Sequence, residues 1–151
     1  MIDSKQLTEY SKHPELALQN LEQLLPLLDS NEETEQVCVS DLLENCGKPA
    51  ISQISFLCNQ LKSGHAPRVY WASTLLGRLG SSNEPLDRSR LHSVLCEALT
   101  DETLELSARE RAAWAIGQTK PVAPDCREIL ENQVEKAPAR LKRLLETALA
   151  N

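Results

Sequence analysis

The chain has 151 residues, of which 41% are apolar and 25% charged, the composition of a folded domain large enough to bury a core. A net charge of −6 and an aromatic content of 3% weigh against nucleic acid or anionic membrane as partner, because both attract basic surfaces and bases need rings to stack on. Five cysteines, none in a CxxC pair, do not make a zinc site or a disulfide framework. Without a secretion-signal core or an apolar run of membrane-spanning length, the expected location is the cytoplasm, with Cys46, Cys58 and Cys126 buried and reduced.

In chain order, Ile2 to Ser11 reads as a short helix or a frayed end, broken at His13-Pro14, with Pro14 suited to the first turn of the next helix. The following helix, Glu15 to Leu25, is leucine-rich (Leu16, Leu18, Leu21, Leu24, Leu25), with Leu27 and Leu28 beyond Pro26. Leucine on more than one face predicts a helix buried on several sides, capping a stack, or touching a second copy in a homodimer. Pro26 should kink or end it. Ser30-x-x-Glu33 has the pattern of a capping box. From Asp29 to Gly47 there are six acids and no base, which is either a surface for a basic partner or ordinary solvated helix.

Gly47-Lys48-Pro49 turns the chain into a helix over Ile51–Leu61, with apolar residues at 51, 54, 57, 58 and 61. Ser63-Gly64-His65-Ala66-Pro67 starts the next helix. In it Val69, Ala72, Leu75, Leu76 and Leu79 recur at steps of three and four, the spacing of one face. Ala72 and Gly77 are small where a neighbouring helix can approach. Gly80 to Leu91, with Pro85 inside it, is a long connection and the best candidate for a functional loop. Leu91 to Leu99, Ala112 to Gly117 and Cys126 to Val134 carry further helical stripes, and Glu105 with Arg109 makes a favourable four-apart pair. A last helix presents Leu141, Leu144, Leu145, Ala148 and Leu149 on one face.

These helices repeat. Shifted back by thirty-three, Ala72-Ser73 falls on Val39-Ser40 and Leu75-Leu76 on Leu42-Leu43; shifted forward by forty, Ala72 falls on Ala112, Leu76 on Ile116 and Gly77 on Gly117. A period of thirty to forty residues with two helices per unit is the pattern of an α-solenoid. Leu75-Leu76-Gly77-Arg78-Leu79-Gly80 and Arg109…Ala112-Ala113…Ala115-Ile116-Gly117 resemble HEAT or HEAT-like (bilin-lyase-type) repeats. The resemblance implies an all-α, right-handed solenoid forming one domain over 1–151. In it, N-terminal capping helices occupy 1–28, three repeats 29–134, and a C-terminal capping helix 137–151.

Catalysis finds little footing. His13, His65 and His92 have no second histidine at metal-ligand spacing, no metal role is read for them, and no cofactor is expected. Some HEAT-like proteins are iron hydroxylases that use His-Glu pairs, but no His-Glu dipeptide occurs here. HEAT-like DNA glycosylases need a basic, aromatic cleft. For the bilin-lyase relatives the resemblance supplies no catalytic residue. Trp71 and Trp114 read as packing residues. What remains is the groove lined by the second helix of each repeat. Its polar side carries Ser52, Phe56 and Asn59, then Ser89, Ser93 and Glu97, then Glu128, Glu131 and Glu135. The expectation is a non-catalytic scaffold that binds a polar or basic segment of another protein there, with Phe56 as an anchor or as packing. The alternative is an enzyme accessory or lyase-like protein holding a small ligand in the groove.

Overall fold

Proline and glycine set most of the helix boundaries. The computed structural model describes residues 2–81 and 87–150, and its secondary structure is helical throughout, with no strand among the described residues. The α-helices are α1 (Ser4–Lys12), α2 (Pro14–Gln19), α3 (Leu21–Leu24), α4 (Glu33–Asn45), α5 (Ile54–Leu61), α6 (Ala66–Gly77), α7 (Arg88–Thr100), α8 (Leu106–Gln118), α9 (Pro124–Val134) and α10 (Ala139–Leu149). Prolines occupy the first turns of α2, α6 and α9, where the missing N–H costs nothing. Gly47 (φ +87°) and Gly64 (φ +74°) take the left-handed backbone that ends α4 and α5. No described helix is long and apolar enough to cross a membrane. The chain divides into two compact units, Met1–Pro49 and Ala50–Asn151. The boundary falls between the two helices of the first expected repeat, α4 and α5.

In the first unit α1 packs on α2 and α4, and α4 lies against α2 and the 3₁₀ turn Leu25–Asp29. The leucine-rich segment is not one helix. Asn20 interrupts it, donating its side-chain amide to the Leu16 carbonyl, and Pro26 turns its end into the 3₁₀ segment. Leu21, Leu24, Leu25 and Leu28 are buried, while Leu16, Leu18 and Leu27 are half-buried. The capping box forms at the start of α1, where Asp3 and Gln6 exchange side-chain and backbone hydrogen bonds of 2.8 and 2.9 Å. It does not form at Ser30. That hydroxyl accepts from the Glu32 N–H, and α4 starts at Glu33 with no side-chain cap. Two extended residues, Ser30 and Glu32, separate the 3₁₀ turn from α4 and carry Ser30 too far out to cap it.

The second unit is built of two layers. Helices α6, α8 and α10 pack in series, as do α5, α7 and α9, and α5–α6, α7–α8 and α9–α10 pair across the layers. The hairpins therefore differ from those the repeats suggested, which grouped α6 with α7 and α8 with α9. The connections explain the difference. Residues 62–65, 101–105 and 135–138 are tight links that fold consecutive helices back on each other, whereas 78–87 joins one hairpin to the next. Residues 82–86 of the expected functional loop, Pro85 among them, lie outside the described residues. α7 begins three residues before Leu91, at Arg88, where Asp87 accepts the Arg90 N–H.

Between α6 and α8 the small residues act as anticipated. Ala72, Ala112, Ala113 and Ala115 are fully buried. A Cβ on Gly77 would sit 2.3 Å from the Trp114 ring, and one on Gly80 would sit 1.7 Å from the Gln118 carbonyl oxygen. Arg109 does not serve Glu105 as expected; its Nε donates to the Leu99 carbonyl at 2.8 Å, closing the α7–α8 corner.

Segment 119–123, which holds a cis Lys120–Pro121 peptide bond, is tied on both sides. His92 is fully buried. Its Nδ1 accepts the Ala123 N–H at 3.1 Å, so Nε2 carries the proton and donates to Thr119 Oγ1 at 2.8 Å. That hydroxyl in turn donates to the Ala115 carbonyl. Arg88 Nε reaches the Thr119 and Lys120 carbonyls, and Lys120 Nζ reaches the Thr147 and Ala150 carbonyls at 2.9 and 2.6 Å. With Arg127 on the Leu149 carbonyl, two cations sit at the negative end of α10, where the helix dipole favours them.

Candidate functional site

Two recesses in the second unit gather side chains capable of recognition, one in each layer. The first lies between α7 and α9. Its floor is Cys96 and Cys126, both buried. Around them stand Ser89, Ser93, Glu97 and Thr100 from α7, and Ala123, Asp125 and Ile129 from the α9 side, enclosing about 350 Å³. Helical spacing places Ser89, Ser93, Glu97 and Thr100 on one stripe of α7. Ile129 is 37% exposed, one of the few large apolar side chains so open. The two thiols meet at the floor: the hydrogen bond to Cys126, then burial, raise the Cys96 thiol well above the usual range. The same hydrogen bond lowers the Cys126 thiol, against the opposing effect of burial.

Of the residues expected to face a partner, Ser89, Ser93 and Glu97 line this recess. Glu128 and Glu131 are exposed on α9 but are not among its lining residues. Ser52 lies in the 3₁₀ turn Ile51–Gln53, and Asn59 lies on α5; both are exposed. Phe56 is half-buried on α5. These three are likewise outside the recess. Since α5, α7 and α9 pack in series, the expected residues belong to one layer, but only Ser89, Ser93 and Glu97 share a cavity. Asp125 and Ile129 complete that cavity. Asp125 opens α9 and Ile129 falls in the apolar stripe of that helix, so the helical pattern places neither on its polar side.

The second recess spans α6, α8 and α10. Arg111 is its centre. The guanidinium carbon lies 4.7 Å from the Tyr70 ring centroid and 4.8 Å from that of Trp114, and Nη2 donates to the Tyr70 hydroxyl. Tyr70 itself meets Trp71 edge-on at 5.2 Å. Ser107, Glu110, Arg140 and Leu144 complete a recess of about 250 Å³. Arg140 Nε stands 3.7 Å from Glu110 Oε2. Trp114 packs on Gly77, as a packing reading requires, yet it is only half-buried and shows part of its ring to the recess. The signal that could have found this site is the forty-residue shift. It places Tyr70 opposite Glu110, next to Arg111.

Unit 1 has a shallower recess of about 320 Å³ between α1 and α4, with Cys38 at its edge. Burial, then the charges of Asp41 and Glu35, raise the Cys38 pKa and keep that thiol neutral. No group of three or more metal-ligating side chains occurs among the described residues. Comparison with protein-family models, curated proteins and solved structures found no match.

Proposed function

We propose that the chain is a non-catalytic interaction module, a short right-handed α-solenoid of HEAT type, that holds a polar or basic segment of another protein against its α7–α9 face. The carrying observation is the placing of two carboxylates, Glu97 and Asp125, in one recess with exposed Ile129. A lysine or arginine can lay its aliphatic stem on Ile129 and bring its charge to the carboxylates. Ser89, Ser93 and Thr100 offer hydroxyls to the segment's backbone. Glu128 and Glu131 extend the negative field along α9 and would steer a basic partner towards it. Serial packing of the hairpins, each leaning on the next, supports the solenoid reading. The free cysteines support a reducing, cytoplasmic setting.

The same recess, at about 350 Å³, reaches the lower size of small-ligand sites, so a small ligand in the groove is the second reading. A twelve-residue lysine-rich peptide and a thermal-shift set of tetrapyrroles and metabolites separate the two. Saturable peptide binding that falls on Glu97→Gln with Asp125→Asn supports the module. A thermal shift from a small molecule, with no peptide binding, overturns it. Dimerisation through the leucine-rich segment would have to use Leu16, Leu18 and Leu27, and light scattering tests it.

A further inference from the structure

We infer that the recess around Arg111 is a second, independent binding site, and that it takes a carboxylate side chain from an acidic protein segment. Arg111 is held by its neighbours. Two rings flank its guanidinium and the Tyr70 hydroxyl accepts from one end, so the fork is fixed in place before any ligand arrives. Among the described residues no carboxylate lies within ion-pair distance of it. Stacking on aromatic faces satisfies the flat sides of a guanidinium but leaves its in-plane N–H donors seeking acceptors. The planar fork matches a carboxylate in two parallel hydrogen bonds.

The surroundings carry the same sign. Arg140 is 78% exposed at the rim and meets Glu110, itself only 13% exposed, at 3.7 Å. Glu110 thus offsets one of the two arginines and leaves the recess net positive. Arg143, three residues further along α10, is exposed on the same side of the helix as Arg140. Tyr, Trp and Arg are also the residue types on which interface binding energy concentrates. Charge complementarity therefore selects an acidic occupant here, whereas the α7–α9 recess selects a basic one. The two sites belong to different layers of the unit and stand or fall separately.

The test is a titration of the whole chain with a ten-residue glutamate-rich peptide, read by indole fluorescence, since Trp114 lines the recess. The expected result is saturable binding that Arg111→Gln weakens about tenfold or more, as loss of a charged, two-bond contact should. Arg111→Lys should recover only a minor part, because the ammonium keeps the charge but not the fork. Ser107→Asp provides a variant that does not disturb the stacking. Position 107 is exposed in the first turn of α8, where an acid is tolerated, and it stands four residues before Arg111, so its carboxylate should occupy the fork and abolish peptide binding. Lys142→Gln, on the exposed side of α10, should leave binding unchanged. The inference is overturned if Ser107→Asp binds as tightly as wild type. It is also overturned if Lys142→Gln weakens binding as much as Arg111→Gln does, or if inorganic phosphate alone gives the fluorescence change and the peptide gives none.

Discussion

Gly77 and Trp114 meet with no space for a methyl group between them. A Cβ on the glycine would lie 2.3 Å from ring atom Cζ3, so α6 and α8 approach as closely as an indole on bare backbone allows. Glycine within a helix ordinarily costs about 1 kcal/mol relative to alanine. Here that rule should reverse. Gly77→Ala forces the ring to move and should destabilise the unit by about 1–3 kcal/mol. Gly117→Ala is the control, since its Cβ would meet Ala148 at an ordinary 3.6 Å and should stabilise by roughly 0.5–1 kcal/mol. Urea unfolding of the two variants checks the pair. Equal effects would mean that the α6–α8 contact is misplaced.

Ser73 carries a second, smaller anomaly. Its side chain is fully buried and its hydroxyl has no hydrogen-bond partner. Burying a hydroxyl unpaired costs about 1–3 kcal/mol. Ser73→Ala should therefore raise the melting temperature, and the equivalent position on α8, Ala113, already has the smaller side chain. A fall in melting temperature would show that the hydroxyl has an acceptor.

Acid should loosen the second unit through His92. Burial, and next the nearby Arg88 charge, push its pKa down from the ordinary 6.5 to about 4. Above the unfolded value neither state is protonated and the full contribution is present. As pH falls through about 6.5 the unfolded chain binds a proton that the folded protein does not take up until about pH 4. Stability therefore declines across that window, by on the order of 3 kcal/mol in all. His92→Gln should be less stable than wild type near neutrality, and the gap should narrow on acidification. A constant gap between neutral pH and about pH 4.5 would contradict the buried, neutral imidazole.

Phe56 separates two readings of α5. It is half-buried and stands outside the α7–α9 recess. Phe56→Ala should lower the melting temperature, as truncation of a packing residue does, and leave binding of a lysine-rich peptide unchanged within about twofold. A loss of binding without a loss of stability would restore Phe56 as an anchor.

Much of the helical layout could be read from the sequence, because its signals are local. Pro14, Pro26, Gly47 and Gly64 punctuate the chain through their own backbone limits, and Ala72 with Gly77 marked the close α6–α8 contact through size alone. Which helix pairs with which is not local. The thirty-three- and forty-residue shifts align helices along the chain, but the tight links at 62–65, 101–105 and 135–138 decide the hairpin partner. The site followed the same division. Ser93 and Glu97 were found because they share one helical stripe. The Arg111 recess was missed because Tyr70 and Arg111 are forty-one residues apart and meet only once α6 lies on α8. Ser30 failed as a cap for a comparable reason: the path of the preceding 3₁₀ turn, not the motif, decided where α4 began.

The most direct test of the account is an amide-resolved NMR titration of the labelled chain with the lysine-rich peptide. The account predicts that shifts concentrate on Ser93, Glu97, Asp125 and Ile129, and that Glu97→Gln with Asp125→Asn removes them. Shifts that instead follow the six acids of residues 29–44, or spread evenly over every exposed carboxylate, would contradict a built site between α7 and α9.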